Sequence, residues 1–504
     1  MNNTLLNFNR DSIVLIILLA IFLLVNVATA TLYPEPYTDE MFYTDPAVNL
    51  ARGDGLTSAA WPSQSKDEFW SSNTPLYSIL MAGWIKAFGS ELIVTRVFAY
   101  ILAVMSSVFL WTGLKNYNLV RSGRLRNTCI IFFLMLFPVA YAYRSGRLDV
   151  LSLLLAASTF AAASSNSSRL RDALLIFSSL LIPLAFLSLV FCILTVLCIG
   201  LLFFGRKILR DATLIIFGIS LGVFLLLGFY LLNGSLEKFL MITVGSGHTL
   251  LGQLAQYIIF DDDRVITKFK EFPLIYLKSL FFWPYTTLLA AITYLLLLIP
   301  KINRNKINYF FITLVLLIPF SLGVLGKYTW NYNWMHTSIL AVGIFYSIDQ
   351  LDGYKNTIIL RSCTIPLFVS ALIGWPWMMG IAFTEWNERS QEPIEQFAER
   401  HINSNDTVVV NGYVYFPAKK RAKGVFTIAY GGGHGLREIP EEQKLSVNKM
   451  IIEEDQFIRA QSKYGGQWKV TDEFYLALKD YGFFQYRFGD FRHWDTLVLY
   501  EREQ

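Results

Sequence analysis

Three short stretches hold the residues best able to do chemistry. The first is Tyr37-Thr38-Asp39-Glu40-Met41-Phe42-Tyr43, where two adjacent carboxylates sit among aromatic rings just after the first apolar run. An ionised carboxylate placed against a hydroxyl can take its proton, so Asp39 and Glu40 are candidates for general-base work. The bland reading is that the whole segment is acidic, since Glu35, Asp45, Asp54, Asp67 and Glu68 share it. The second stretch is Tyr141-Ala-Tyr-Arg144-Ser-Gly-Arg147-Leu-Asp149, a short turn between apolar runs. Charged groups at membrane depth cost roughly 2.5–3.5 kcal/mol each on insertion scales, so they are paired or functional. An Arg147–Asp149 pair, arginines reaching for lipid phosphates, and a substrate site all fit this turn. The third stretch, Gly326-Lys327-Tyr328-Thr329-Trp330-Asn331-Tyr332-Asn333-Trp334-Met335-His336, reads first as an interfacial aromatic belt. Lys327 and His336 would also suit an anionic headgroup.

These stretches must be positioned by membrane helices. Of 504 residues, 54% are hydrophobic and only 16% charged, too few charges to cover a soluble protein of this size. The net charge of +5 is small and gives no footprint for nucleic acid. Cys129, Cys192, Cys198 and Cys363 all lie in apolar runs, which argues for packed thiols. Apolar runs fall near 12–30, 92–112, 128–143, 148–163, 174–204, 212–232, 279–299, 307–325, 335–348 and 357–383. The first is long enough to span and is read as a retained anchor, although Ala28-Thr29-Ala30 resembles a cleavage site. The run 174–204 is too long for one helix and carries Pro183, so a hairpin of two helices is expected.

That count gives about eleven crossings. It also puts every basic cluster on one side: Lys115/Arg121/Arg124/Arg126, Arg169/Arg171, Arg206/Lys207/Arg210, Lys301/Arg304/Lys306 and Lys355/Arg361. By the positive-inside rule that side, with the N-terminus, is cytoplasmic. Segments 31–91, 233–278 and everything after Phe383 are then external. The sequence thus reads as a polytopic α-helical membrane module over 1–383 and a small extracytoplasmic α/β domain over 384–504. In that domain Thr407-Val-Val-Val-Asn predicts a strand, Glu473-Phe-Tyr-Leu-Ala-Leu-Lys a helix and Asp495-Thr-Leu-Val-Leu-Tyr a final strand.

Other signals carry less. Gly431-Gly-Gly-His434-Gly lacks the Lys-Ser/Thr of a phosphate-binding loop and reads as a flexible loop, Gly245-Ser-Gly-His248 lies in the second external loop, where a mobile substrate-facing segment is one reading, and Asp261-Asp-Asp263 lacks calcium-loop spacing. The five histidines include no pair at metal-ligand spacing, so no metal site is assigned. The carboxylates leave a divalent metal open, and no other cofactor is implied.

The order of these stretches resembles the lipid-linked-sugar glycosyltransferases of the GT-C class. Within it, the nearest branch is the bacterial relatives of protein O-mannosyltransferases and of the lipid A aminoarabinose transferase. The resemblance rests on Tyr37-Thr-Asp39-Glu40 with Ala47-Val-Asn-Leu-Ala-Arg-Gly-Asp-Gly55, and on Asn73-Thr-Pro75-Leu-Tyr77 running to Lys86, Gly89 and Thr95-Arg96. Gly146-Arg147-Leu-Asp149 and the aromatic turn before His336 complete it. Thr74-Pro75 stands where a double proline is usual, and the 174–204 hairpin lacks a lysine that many relatives have. The resemblance implies an inverting transferase on the outer face of the plasma (inner) membrane. Its donor would be a polyprenyl-phosphate sugar and its acceptor a lipid, glycan or protein. Asp39 maps onto the catalytic aspartate as general base, Glu40 orients the acceptor or holds Asp39, and Asp149 is a second carboxylate. Arg147, Lys86, Arg96, Arg144, Lys327 and His336 are the candidates for the donor phosphate. A transporter or flippase is the rival from another class. It explains the helices but not a roughly 60-residue first loop or a large external domain.

Overall fold

The computed structural model describes residues 10–36, 38–62, 64–165, 167–245, 293–294, 306–324, 332–351, 357–430, 438–475 and 496–503. The chain is mostly helical. Its described membrane-module helices are α1 (Arg10–Ala28), α2 (Thr38–Arg52), α3 (Leu76–Phe88), α4 (Leu92–Asn116), α5 (Gly123–Met135), α6 (Phe137–Arg144), α7 (Asp149–Ala163), α8 (Ser168–Ala185), α9 (Leu187–Phe204), α10 (Leu209–Leu232), α11 (Leu236–Gly245), α12 (Lys306–Val324), α13 (Trp334–Leu351), α14 (Thr357–Leu372) and α15 (Trp375–Thr384).

Among the described residues four helices are long and apolar enough to cross a membrane: α1, α4, the Leu187–Lys207 stretch that begins with α9, and α10. The count rises to six if two bent pairs each form one span, against the eleven expected from hydropathy. Length accounts for part of the difference. At 15 residues α7 extends only about 22 Å, less than the roughly 30 Å hydrocarbon core. The apolar run 279–299 lies almost wholly outside the described residues.

The bent pairs are α5–α6, which turns by 65° at Leu136, and Cys363–Leu372 with α15, which turns by 44°. Pro138 in the first turn of α6 and Pro376 at the start of α15 lack the N–H that would continue the preceding helix. The two breaks meet. A Cβ on Gly374 would stand 1.8 Å from the Met135 carbonyl oxygen and 2.6 Å from the Phe137 nitrogen, so only glycine fits the crossing. Run 174–204 is divided as expected, with the helix break at Phe186, three residues beyond Pro183.

Two features at the ends of the bundle orient it. At one end the basic connections are tied together: Arg121 pairs with Asp349 at 2.9 Å, Arg171 with Asp211 and Arg210 with Asp172. At the other end lies segment 31–91, which is far from an open loop because α2 and α3 fold within it. The sequence did not predict α2, whose alternation of polar and apolar residues is broken by Pro46.

Beyond α15 come α16 (Glu392–His401) and a five-stranded sheet of β1 (Thr407–Val410), β2 (Gly424–Thr427), β3 (Lys449–Glu453), β4 (Trp468–Phe474) and β5 (Leu497–Arg502), in the order β2-β1-β3-β5-β4. Strand β1 runs parallel to β2 and β3, while β5 is antiparallel to β3 and β4. Successive residues face opposite sides. Val408, Val410, Ile451 and Leu499 pack under α16 and α17 (Gly412–Arg421), whereas Val409, Met450, Ile452 and Val498 pack against α18 (Phe457–Tyr464) and its neighbours. The first and last predicted strands are present. The helix predicted from Glu473 does not begin there: Glu473 and Phe474 pair with Val498 and Leu497 at the end of β4, and residues 476–479 of that stretch lie outside the described residues. Pairing of this edge strand with β5 outweighs the helical preference of Glu473 and its neighbours.

The sheet domain is gripped by segment 31–91. Met41 of α2 and Leu92 of α4 belong to its apolar core, and Ala59 belongs to the core on the opposite face. Gly412 approaches Pro36 so closely that a Cβ would lie 2.7 Å from its carbonyl oxygen. Asp45, fully buried, accepts from Ser58 Oγ at 2.9 Å, Ala59 N–H at 2.8 Å and Tyr415 Oη at 2.6 Å, and pairs with Lys419 Nζ at 2.7 Å. Burial pushes the Asp45 carboxyl up, but the Lys419 charge and hydrogen bonds from Lys419, Tyr415 and Ser58 outweigh it and hold the group below its usual range.

Candidate active site

Three helix starts assemble the site. Asp39 and Glu40 lie in the first turn of α2, Asp149 opens α7 and Trp334 opens α13. Unpaired N–H groups at a helix start favour negative charge, which stabilises carboxylates there and equally suits an incoming anion. Between α6 and α7 the chain turns through Gly146 at φ +61°, a left-handed value that glycine adopts without strain. A side chain there would also strike Glu40, whose Oε1 lies 2.4 Å from the position of a Cβ.

Arg147 is the hub. Its Nε donates to Asp149 Oδ2 at 2.8 Å, and its Nη1 donates to Asp39 Oδ2. The guanidinium is 1% exposed and Asp149 fully buried, whereas Asp39 is 27% exposed and so is the reachable member of the trio. Trp334 Nε1 donates to the other Asp149 oxygen at 2.9 Å. Tyr332 lies beneath the Arg147 guanidinium at 5.6 Å and stacks in turn on Phe186, at the α8–α9 break. The trio carries two negative charges and one positive, and Arg147 is shared between both carboxylates.

Glu40 faces away from this trio. Arg96 holds it by two bonds, Nε to Oε1 at 2.8 Å and Nη2 to Oε2 at 2.7 Å, with both side chains fully buried. Arg96 Nη1 also donates to the carbonyls of Ala30 and Pro34, each at 2.6 Å. This pair fixes the start of α2 to α4 and to the end of α1. Arg144 does related work. Fully buried, it donates to Tyr33 O at 2.8 Å, Thr29 O at 2.8 Å and Asn26 Oδ1 at 2.7 Å, and so fastens the chain that leaves α1.

Segment 73–77 is fastened to the same framework. Thr74 Oγ1 donates to Ala185 O at 2.7 Å and Tyr77 Oη to Gly146 O at 2.9 Å. Of the remaining sequence candidates, the described ones do not join the trio. Lys86 is exposed on the last turn of α3, about 14 Å along the helix from Tyr77. His336 is buried on α13, two residues past Trp334. Lys327, Asp261–Asp263, the glycine-rich 431–435 loop and His248 lie outside the described residues. Among the described residues no three His, Cys, Asp or Glu side chains converge as a metal site.

Sequence reasoning missed Trp334, Tyr332 and Tyr77 as parts of the site. An indole at a helix start looks like an interfacial anchor; only its bond to Asp149 distinguishes it. It also missed the direct Arg147–Asp39 contact, because 108 residues separate the two.

No protein-family model and no curated protein matches the sequence. Solved structures do match by shape. One is ArnT from Cupriavidus metallidurans bound to undecaprenyl phosphate, aligned over 97% of this chain and 97% of that one at 10% identity, with a TM-score of 0.58. Nearly end to end, including the domain after α15, the chain therefore has a GT-C-like fold of the ArnT type.

Proposed function

We propose that this protein is an inverting glycosyltransferase that moves a sugar from a polyprenyl-phosphate donor to an acceptor hydroxyl at the outer face of the plasma membrane. The observation that carries the reading is the Asp39–Arg147–Asp149 trio at the starts of α2 and α7, in the fold of a protein whose structure holds undecaprenyl phosphate. The N-terminus would be cytoplasmic and the sheet domain extracytoplasmic.

In this mechanism the acceptor oxygen attacks the anomeric carbon while the bond from that carbon to the phosphate oxygen breaks. The acceptor proton passes to Asp39, and the polyprenyl phosphate leaves with the electron pair. Asp39 suits the role because it alone of the three site carboxylates is partly exposed. Arg147 supplies the charge that the leaving phosphate needs. Its Nη1, bonded to Asp39, would turn to the phosphate when the donor arrives, which frees the Asp39 oxygen to act as base. Asp149 and Trp334 would hold the guanidinium in place from the other side. Arg96, Arg144, Glu40 and Tyr77 would maintain the frame, while Lys86 remains a proposed donor contact and Lys327 and His336 proposed contacts of lower rank.

The test is sugar transfer or donor hydrolysis with a panel of polyprenyl-phosphate sugars, using purified protein in lipid, wild type beside Asp39→Asn. Turnover of one donor, lost in the variant with its thermal stability kept, supports the reading and identifies the sugar. Equal turnover in both removes Asp39 as base. Transbilayer movement without turnover of any donor makes the transporter reading the better one.

A further inference from the structure

At the end of the bundle opposite the candidate site, a cavity of about 590 Å³ opens between α1 and α5. Its lining changes in the same order along both helices. Arg10 and Arg124 stand at the mouth, in the first turn of each helix, Val14 and Thr128 come next, and Leu18 and Ile131 lie furthest along. From Arg10 to Leu18 is about 12 Å along α1, and from Arg124 to Ile131 about 10 Å along α5. Cations above and aliphatic side chains below, over that depth, match a phospholipid with its phosphate at the arginines and its acyl chains in the groove.

The surroundings agree. Helix α1 is peripheral: Ile13, Val14, Ile16, Ile17, Ile21 and Leu24 are all exposed, so the groove opens toward lipid. Arg121 and Arg126, which share this end, are committed elsewhere, to Asp349 and to the Val120 and Arg121 carbonyls. The acidic residue at the mouth, Asp11, is turned against the first turn of α5. A Cβ on Gly123 would lie 1.7 Å from its Oδ2, so the carboxylate occupies the space that glycine leaves. Asn127 Nδ2 donates to the Asp11 carbonyl at 2.9 Å and ties the two helices together at that level. The mouth therefore presents a net positive charge to a ligand.

We infer that the α1–α5 groove is a binding site for one anionic phospholipid of the leaflet that borders the basic end of the bundle. Basic pockets between membrane helices on that side are suited to anionic headgroups, with each arginine near the surface adding about 1 kcal/mol, or roughly fivefold. The site is separate from the candidate active site, and the inference does not depend on the proposed function.

Native mass spectrometry of the full chain in detergent, with phosphatidylglycerol competing against phosphatidylcholine, tests it. The wild type should retain phosphatidylglycerol preferentially. The Arg10→Gln/Arg124→Gln variant should lose about 25-fold of that preference, two arginines at roughly fivefold each. Leu18→Trp, which fills the groove and leaves both arginines, should also lose the bound lipid. Equal retention of the two lipids by wild type would overturn the inference. So would an unchanged preference in the arginine variant. Loss with the arginine variant but not with Leu18→Trp would reduce the contact to surface charge and overturn the groove site. Displacement of phosphatidylglycerol by equimolar undecaprenyl phosphate would assign the groove to the polyprenyl carrier instead. Thermal unfolding without added lipid, unchanged in all three proteins, verifies that the variants are folded.

Discussion

Replacing Asp45 by asparagine should loosen the sheet domain from segment 31–91 by about 3–5 kcal/mol, the usual cost of leaving one partner of a buried ion pair alone. The structure shows why the near-isosteric change is so severe. Asp45 Oδ2 receives Ser58 Oγ and the Ala59 and Ala60 N–H groups, while Oδ1 receives Tyr415 Oη and Lys419 Nζ. Whichever oxygen becomes an NH₂, a donor then faces donors, and Lys419, only 10% exposed, loses its counter-charge. Removing Lys419 as well, as Asp45→Asn/Lys419→Met, should cost less than the sum of the two single changes by about 0.5–3 kcal/mol. Acid should imitate the first change. Because the folded Asp45 carboxyl is held below its usual range, its contribution is complete above about pH 4 and is lost as pH falls through the lower folded value. Hydrogen exchange at residues 58–60 and 412–421 is the assay, run from pH 7 to pH 3. Additive single and double variants, or an acid transition of the same size in Asp45→Asn as in wild type, would refute the reasoning.

Three further outcomes are expected. Gly146→Ala should abolish transfer and lower thermal stability, since it adds about 1–2 kcal/mol of left-handed backbone strain and drives a methyl into Glu40; turnover within twofold of wild type would contradict this. Glu40→Gln should reduce stability by about 3–5 kcal/mol by leaving the Arg96 charge buried without its carboxylate. Expression and melting temperature report it, and Arg96→Lys should not compensate. Trp334→Phe removes the hydrogen bond to Asp149 and keeps an aromatic ring there, so the fold should hold while turnover drops about tenfold, corresponding to roughly 1–2 kcal/mol of lost positioning; an unchanged kcat would make the indole a membrane anchor only.

The parts of this molecule that were legible in the sequence are those written in local pattern. Apolar runs located the long helices, Pro183 marked the break between α8 and α9, and the valines of 407–410 announced β1. The adjacency of Arg147 and Asp149 was readable because two residues of spacing bring them together. What could not be read depends on distance along the chain. Nothing near Asp39 signals Arg147, and nothing near Met41 signals that its side chain belongs to the core of a domain some 350 residues later. Helix α2 was hidden for another reason: its start is acidic and its middle holds Pro46, so tertiary contacts and the helix-start charge support it where periodicity does not. The end of β4 reverses the error, because pairing to β5 decides Glu473 and Phe474, which the sequence assigned to a helix.

The contact between the two bent spans has a consequence for any attempt to recombine this protein with another of its shape. Gly374 fits only because the peptide of Met135–Phe137 turns aside at that level, and that peptide turns aside only where α5 gives way to α6. Neither break can be transplanted by itself. A chimera that imports residues 123–144 without 357–384, or the reverse, sets a straight helix against a glycine shaped for a bent one. The two segments, though more than 200 residues apart, form a single module for exchange, and natural variation should pass through them together or spare them both.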